Sequence, residues 1–155
     1  MSTWKNIAKW EEYTSEQGCP VCNQKSDERP PGEGDIATLR VSTLGAVKDT
    51  CMKGHCCLVS KPHAVELHDL TDADAIAFMR DIQQASRALQ AVTGAIKINY
   101  EIHGNTIPHL HMHLWPRQIG DRFEDGPIDW RAKSPATYGE GEFEAFVAAM
   151  QDAIW

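Results

Sequence analysis

The run "NTIPHLHMHLWPR", residues 105–117, sets His109, His111 and His113 at every second position, with Leu110, Met112 and Leu114 between them. This alternation constrains local structure more than any other feature of the chain. Successive side chains of a β-strand point to opposite faces, so residues i, i+2 and i+4 line one face together. On a helix the same three histidines would fan out and could not act as a group. The pattern predicts a strand whose Leu/Met face is buried. Its other face would carry three of the seven histidines in the chain.

The neighbouring segments suggest what that strand pairs with. "AIKINYEI", residues 95–102, alternates strictly: Ile96, Ile98, Tyr100 and Ile102 on one side, Lys97, Asn99, Glu101 and then His103 on the other. "HGN" between the two runs reads as a turn, so they form a predicted hairpin. Thr71 is a good helix N-cap, with Asp74 three residues on, and Gly94 suits the helix end. Between them Ile76, Met79, Ile82, Ala85, Leu89 and Val92 recur at helical spacing. "IATLRVSTLGAV" predicts strands with a turn or bulge at Gly45, and "HCCLVSK" a short buried strand. A short helix is predicted around Trp4, Ile7, Ala8 and Trp10, and a last one on Phe143, Phe146, Val147, Met150 and Ile154. "NQKSDERPPGEGD" reads as a loop and residues 116–140 as irregular. The fold class is α+β, an antiparallel sheet with helices packed against it.

A chain of 155 residues suits one domain. Its formal charge of -7 disfavours a nucleic-acid partner, because such binding is driven by Lys and Arg neutralising phosphates. No run reaches the roughly 20 apolar residues that span a bilayer, and the start lacks a signal-peptide pattern. Five cysteines, an odd number, suit a reducing compartment. The expected setting is cytoplasmic, without a membrane partner.

Three in-line imidazoles have two chemical readings. They can chelate a transition metal together, as in a metalloenzyme. Alternatively, one neutral imidazole can attack phosphorus while its neighbours orient it and handle the leaving group. A solvated strand face is the bland alternative. The pair Cys19 and Cys22 in "CPVC" is equally open: a metal knuckle, a redox pair or coincidence. The redox reading wants a βαβ context that the pattern lacks. A tetrahedral zinc would need two more ligands. Cys51, Cys56 and Cys57 show no partner spacing.

"GNTIPHLHMHLWPR" resembles the His-x-His-x-His signature of the histidine-triad (HIT) family of nucleotidyl hydrolases and transferases. "GHCCLVSKPHAVELHDLTDAD" resembles the family's Gly-His, apolar strand and Lys-x-His segment. The resemblance runs from about Cys19 to Arg117. It divides the domain into an N-terminal segment, 1–35, a HIT core, 36–117, and a remainder, 118–155, with the irregular stretch and last helix.

The resemblance implies a role for each matching position. His111 is the nucleophile toward the α-phosphorus of a nucleotide, and His113 contacts the phosphate and the leaving-group side. Thr106 bonds the leaving atom, and Asn105 replaces the more usual Gln before it. Asn99 is a phosphate contact, and His55 has a counterpart near the substrate. The implied substrates are nucleoside phosphoramidates or dinucleoside polyphosphates, cleaved without a metal in the chemical step. Some relatives bind structural zinc through a C-x-x-C, the Lys-x-His histidine and the first triad histidine, here Cys19, Cys22, His63 and His109. A homodimer with the sheet continued across it is also implied. Val47 stands where many members carry an acid for the ribose, with Asp49 two residues on. Two rivals remain: a metalloenzyme with all three histidines on one metal, and a nucleotide-binding regulatory module with little turnover.

Overall fold

The computed structural model describes residues 6–23, 34–129, 131–132 and 138–155. Trp4, most of the predicted loop and part of the irregular stretch lie outside the described residues. Five strands, β1 (Asp35–Thr38), β2 (Ser42–Ala46), β3 (Cys56–Ser60), β4 (Lys97–Glu101) and β5 (His111–Arg117), form one sheet. Their order is β1-β2-β3-β5-β4, every neighbouring pair antiparallel. Among the described residues three α-helices accompany them: α1 (Ile7–Tyr13), α2 (Asp72–Thr93) and α3 (Glu142–Ala153). The α+β class is therefore as the pattern predicts.

The histidine strand divides its side chains as expected. Met112 and Leu114 join Leu44, Leu58 and Ile98 in a core closed by Phe78, Ile82 and Leu89 of α2 and by Phe143, Val147 and Met150 of α3. Both helices pack on that side. The odd-numbered residues of β5 are thus left facing away from the helices. Burying such large apolar side chains is worth roughly 2 kcal/mol each, which makes the register of β5 hard to shift. A slip of one residue would bury the imidazoles and expose the leucines.

Helix α2 begins and ends where its caps place it. Thr71 Oγ1 accepts from the Asp74 N–H at 3.1 Å, and Gly94 closes the helix at φ 66°. Its buried stripe differs from the expected one. Ile76 and Met79 are 57% and 54% exposed, while Asp81 is fully buried among Phe78, Ile82 and Ala85. The Asp81 carboxylate accepts from the Val41 N–H at 2.9 Å and the Ser42 hydroxyl at 2.8 Å. A buried carboxylate is costly unless so satisfied, and these bonds turn α2 toward the β1–β2 connection. That connection falls at residues 39–41. Gly45 lies inside β2 opposite Asp35, and the irregularity is in β1, between Asp35 and Ala37.

β4 and β5 are antiparallel neighbours as predicted, but a longer loop, residues 102–110, joins them instead of a tight turn. The Trp10 indole of α1 donates to the Gly104 carbonyl at 2.7 Å, pinning this loop from the N-terminal side. No helix among the described residues is long and apolar enough to cross a membrane.

Candidate active site and metal centre

His109, His111 and His113 share a face but enter three environments. His109 is 1% exposed, just before β5. Its Nε2–H donates to the Ser60 carbonyl at 2.7 Å, which leaves Nδ1 as an acceptor. Nδ1 lies 3.4 Å from Cys19 Sγ and 3.5 Å from Cys22 Sγ. His63 repeats the arrangement: Nε2–H donates to the Thr14 carbonyl at 2.8 Å, and Nδ1 is 3.2 Å from Cys22 Sγ.

The four donor atoms of Cys19, Cys22, His63 and His109 all lie within 4.8 Å of one another. Zinc–sulfur bonds of about 2.3 Å and zinc–nitrogen bonds of about 2.0 Å in a tetrahedron separate S and N by about 3.6 Å. The cluster matches that spacing closely. Carbonyls that fix the tautomer of ligating histidines are the usual outer partners of such sites. Burial, and next the neighbouring Cys19, push the Cys22 thiol up to about 11. Without a cation this thiol keeps its proton at neutral pH; a bound cation would displace it.

His111 is arranged differently. Its Nδ1–H donates to the His109 carbonyl at 2.7 Å, so Nε2 keeps its lone pair. The ring stands edge-on to that of His113, centroids 5.1 Å apart. His113 Nδ1 is 2.9 Å from His55 Nε2, and His55 Nδ1 is 3.0 Å from Thr50 Oγ1. The Thr50 oxygen also accepts from the Met52 N–H at 3.5 Å. With the Thr50 hydroxyl donating to His55, His55 Nε2–H donates to His113, and His113 carries its own proton on Nε2. His55 stacks on Trp115 at 3.6 Å between centroids and is buried. Both its nitrogens are thus engaged within the protein. Gly54 positions it with φ 81°, where an added Cβ would meet the Pro116 ring at 2.7 Å.

Burial, and next the neighbouring His113, lower His55 to about 3; burial, and next His111, lower His113 to about 4. Both rings are neutral in the folded protein near neutral pH. The unfolded chain takes up their protons near pH 6.5. Stability is therefore fully present above about pH 6.5 and is lost as pH falls from there toward the folded values. Between pH 7 and pH 5, His55 alone is expected to remove about 2 kcal/mol. Denaturant unfolding of the parent and His55→Asn at both pH values checks this. An equal pH dependence in the two proteins would contradict it.

The remaining expected site residues are more dispersed. Asn105 and Thr106 are exposed in the loop that Trp10 pins. Asn99 lies on the histidine face opposite Trp115, and its side-chain oxygen accepts from Arg117 at 2.5 Å. Val47 is partly buried and Asp49 exposed. Three features escaped the sequence reading. The Glu101 carboxylate accepts from the Trp115 indole at 3.1 Å and lies 3.2 Å from His103 Nε2. The His103 ring stands 5.6 Å from that of His113, so this exposed histidine borders the site. Thr50 ends the His55 relay. Alternation did place Glu101 and, just beyond the strand, His103 on the polar side; it could not give their closure onto Trp115 and His113.

Comparison with known proteins bears on the family and the fold. The model of the HIT domain matches residues 44–120. A histidine triad protein from Bradyrhizobium japonicum is 32% identical, with 78% of this chain and 90% of that chain covered and a TM-score of 0.69. One from Sinorhizobium meliloti is 26% identical over 78% and 90%, with a TM-score of 0.67. A zinc-bound histidine triad family protein from Mycobacterium smegmatis, 20% identical over 90% and 95%, shares the fold with a TM-score of 0.62. No curated protein matches the chain. By its triad strand, its fold and these likenesses, the chain belongs to the histidine-triad (HIT) family.

Proposed function

We propose that the protein is a nucleotide hydrolase or transferase that acts through a nucleotidyl-histidine intermediate. The observation that carries this is the bond from His111 Nδ1–H to the His109 carbonyl, which leaves Nε2 as the nitrogen available for attack on the face away from the helices. In the first step a bond forms from Nε2 to the α-phosphorus. The bond to the leaving atom breaks with its electron pair, and that atom takes a proton from His113 Nε2–H or the Thr106 hydroxyl. Water or another acceptor then cleaves the adduct and frees His111. Nucleoside phosphoramidates and dinucleoside polyphosphates are the candidate substrates, with Asn99 and Asn105 near the phosphate and His55 positioning His113. A catalytic metal on all three histidines is disfavoured by geometry, because the free nitrogen of His109 turns to the cysteines and away from His111 and His113. Trapping tests the mechanism. Protein quenched in denaturant during turnover should carry a nucleoside monophosphate on the peptide containing His111. Turnover without any such adduct, abolished by a chelator that spares the fold, would favour the catalytic-metal rival.

Zinc in the Cys19, Cys22, His63 and His109 cluster is part of this reading, with a structural role tying the N-terminal segment (1–35) to the HIT core (36–117). The 118–155 remainder supplies α3 to the core. A second copy of the chain is the other partner. β4 is an edge strand, and Tyr100 in it and Ile96 just before it are 47% and 63% exposed. Exposed Ile76 and Met79 lie on the same side of α2 as Gln83, which borders a groove against β4. An edge this apolar invites pairing. Sedimentation should give a dimer for the parent and a monomer for Met79→Lys combined with Ile96→Lys; a monomeric parent would remove the dimer from this proposal.

A further inference from the structure

The two sides of the triad differ in charge. Toward β3 and β2, the residues in register with His111 and His113 are Val59, Cys57, Thr43 and Gly45. That side offers an uncharged floor with a gap at the glycine, suited to a nucleoside. Toward β4, the cross-strand partner of His113 is Glu101. Its side chain is 20% exposed, and Oε2 meets both the Trp115 indole and His103 Nε2. The basic groups in register on β4 and β5, Lys97 and Arg117, pair with each other's positions four residues further along. The Arg117 guanidinium is spent on Asp121 and on loop carbonyls, and Lys97 on the Ile98 carbonyl.

A phosphate held at His111 with its nucleoside over the β2–β3 floor sends its leaving group toward Glu101. We infer that the Glu101–His103 pair is a selectivity element that rejects a phosphate in the leaving group and favours an uncharged or amine-bearing one. The inference rests on the nucleotide reading above. Glu101 supplies the repulsion, and the His103 N–H partly screens it. The two residues are therefore expected to act with opposite sign, a pattern that a merely structural role would not produce.

Calorimetric titration of the intact protein with AMP and ADP, and with GMP and GDP, tests this without requiring turnover. In the parent the diphosphate should bind about tenfold more weakly than the monophosphate, a repulsion between that of one close charge pair in bulk water and the larger one near a protein surface. Glu101→Gln, which keeps an acceptor for Trp115, should bring the two within about threefold. His103→Ala should widen the gap. Thermal melts establish that each variant folds, and Glu101→Gln decides alone if His103→Ala does not. A diphosphate that binds as tightly as the monophosphate to the parent, or a gap unmoved by Glu101→Gln, overturns the inference. The expected binding pattern without turnover would sink only the nucleophile. Failure of all four nucleotides to bind would remove both readings.

Discussion

His111→Ala is expected to lower kcat at least about a thousandfold, close to 4 kcal/mol of barrier. The reason is geometric. His109 Nδ1 faces two cysteines and His113 Nδ1 is bonded to His55, so neither neighbour can bring a free nitrogen to the same point. Nucleotide affinity should change little, because the floor toward β2 and the groups around His113 are left in place. An interaction made only at the reacting centre lowers kcat without weakening binding. Steady-state kinetics with phosphoramidate and dinucleoside polyphosphate substrates, beside calorimetric binding, separate the two quantities. The variant should also leave no adduct on quenching. Turnover within tenfold of the parent would remove His111 from the nucleophile's role.

Cys22→Ser carries the second large effect. Protein purified without added metal should hold about one zinc per chain, and the variant should hold close to none. The melting temperature should fall by about 10 °C, the shift expected for roughly 3 kcal/mol in a chain of this size. Cys22 is the donor that meets both histidines, at 3.2 Å and 3.5 Å, so its loss opens the cluster on two sides. Serine is smaller and harder, a poor ligand beside thiolate and imidazole. Metal analysis and thermal melts are the measurements. A parent without zinc, or a variant that retains it, would count against the assignment.

The fold was legible where one periodicity acted alone. Leu110, Met112 and Leu114 alternate with histidines, and no competing pattern blurs the strand. Thr71, Asp74 and Gly94 bracket α2 because caps satisfy backbone groups locally. Legibility failed where a distant residue decides the outcome. Ile76 and Met79 fit the apolar stripe as well as Phe78 does, yet the Asp81 carboxylate, claimed by the β1–β2 connection, rotates the helix away from them. The ligand set Cys19, Cys22, His63 and His109 came from family likeness, and the fold brings those four together. Glu101 and His103 could be put on a face but not into a contact. Alternation orders side chains along one strand; it is silent on which rings and carboxylates meet across a loop.

The cysteine–histidine cluster also bears on the order in which the chain assembles. Cys22 meets His63 across 41 positions and Cys19 meets His109 across 90. The two histidines stand near each other only after β3 and β5 have zipped together, since each is anchored at one end of that pair. Closing loops of that length is entropically unfavourable before other contacts hold the ends. The donor set therefore matures late, on a sheet already formed. A cation held by these four donors would latch a finished scaffold and not nucleate it.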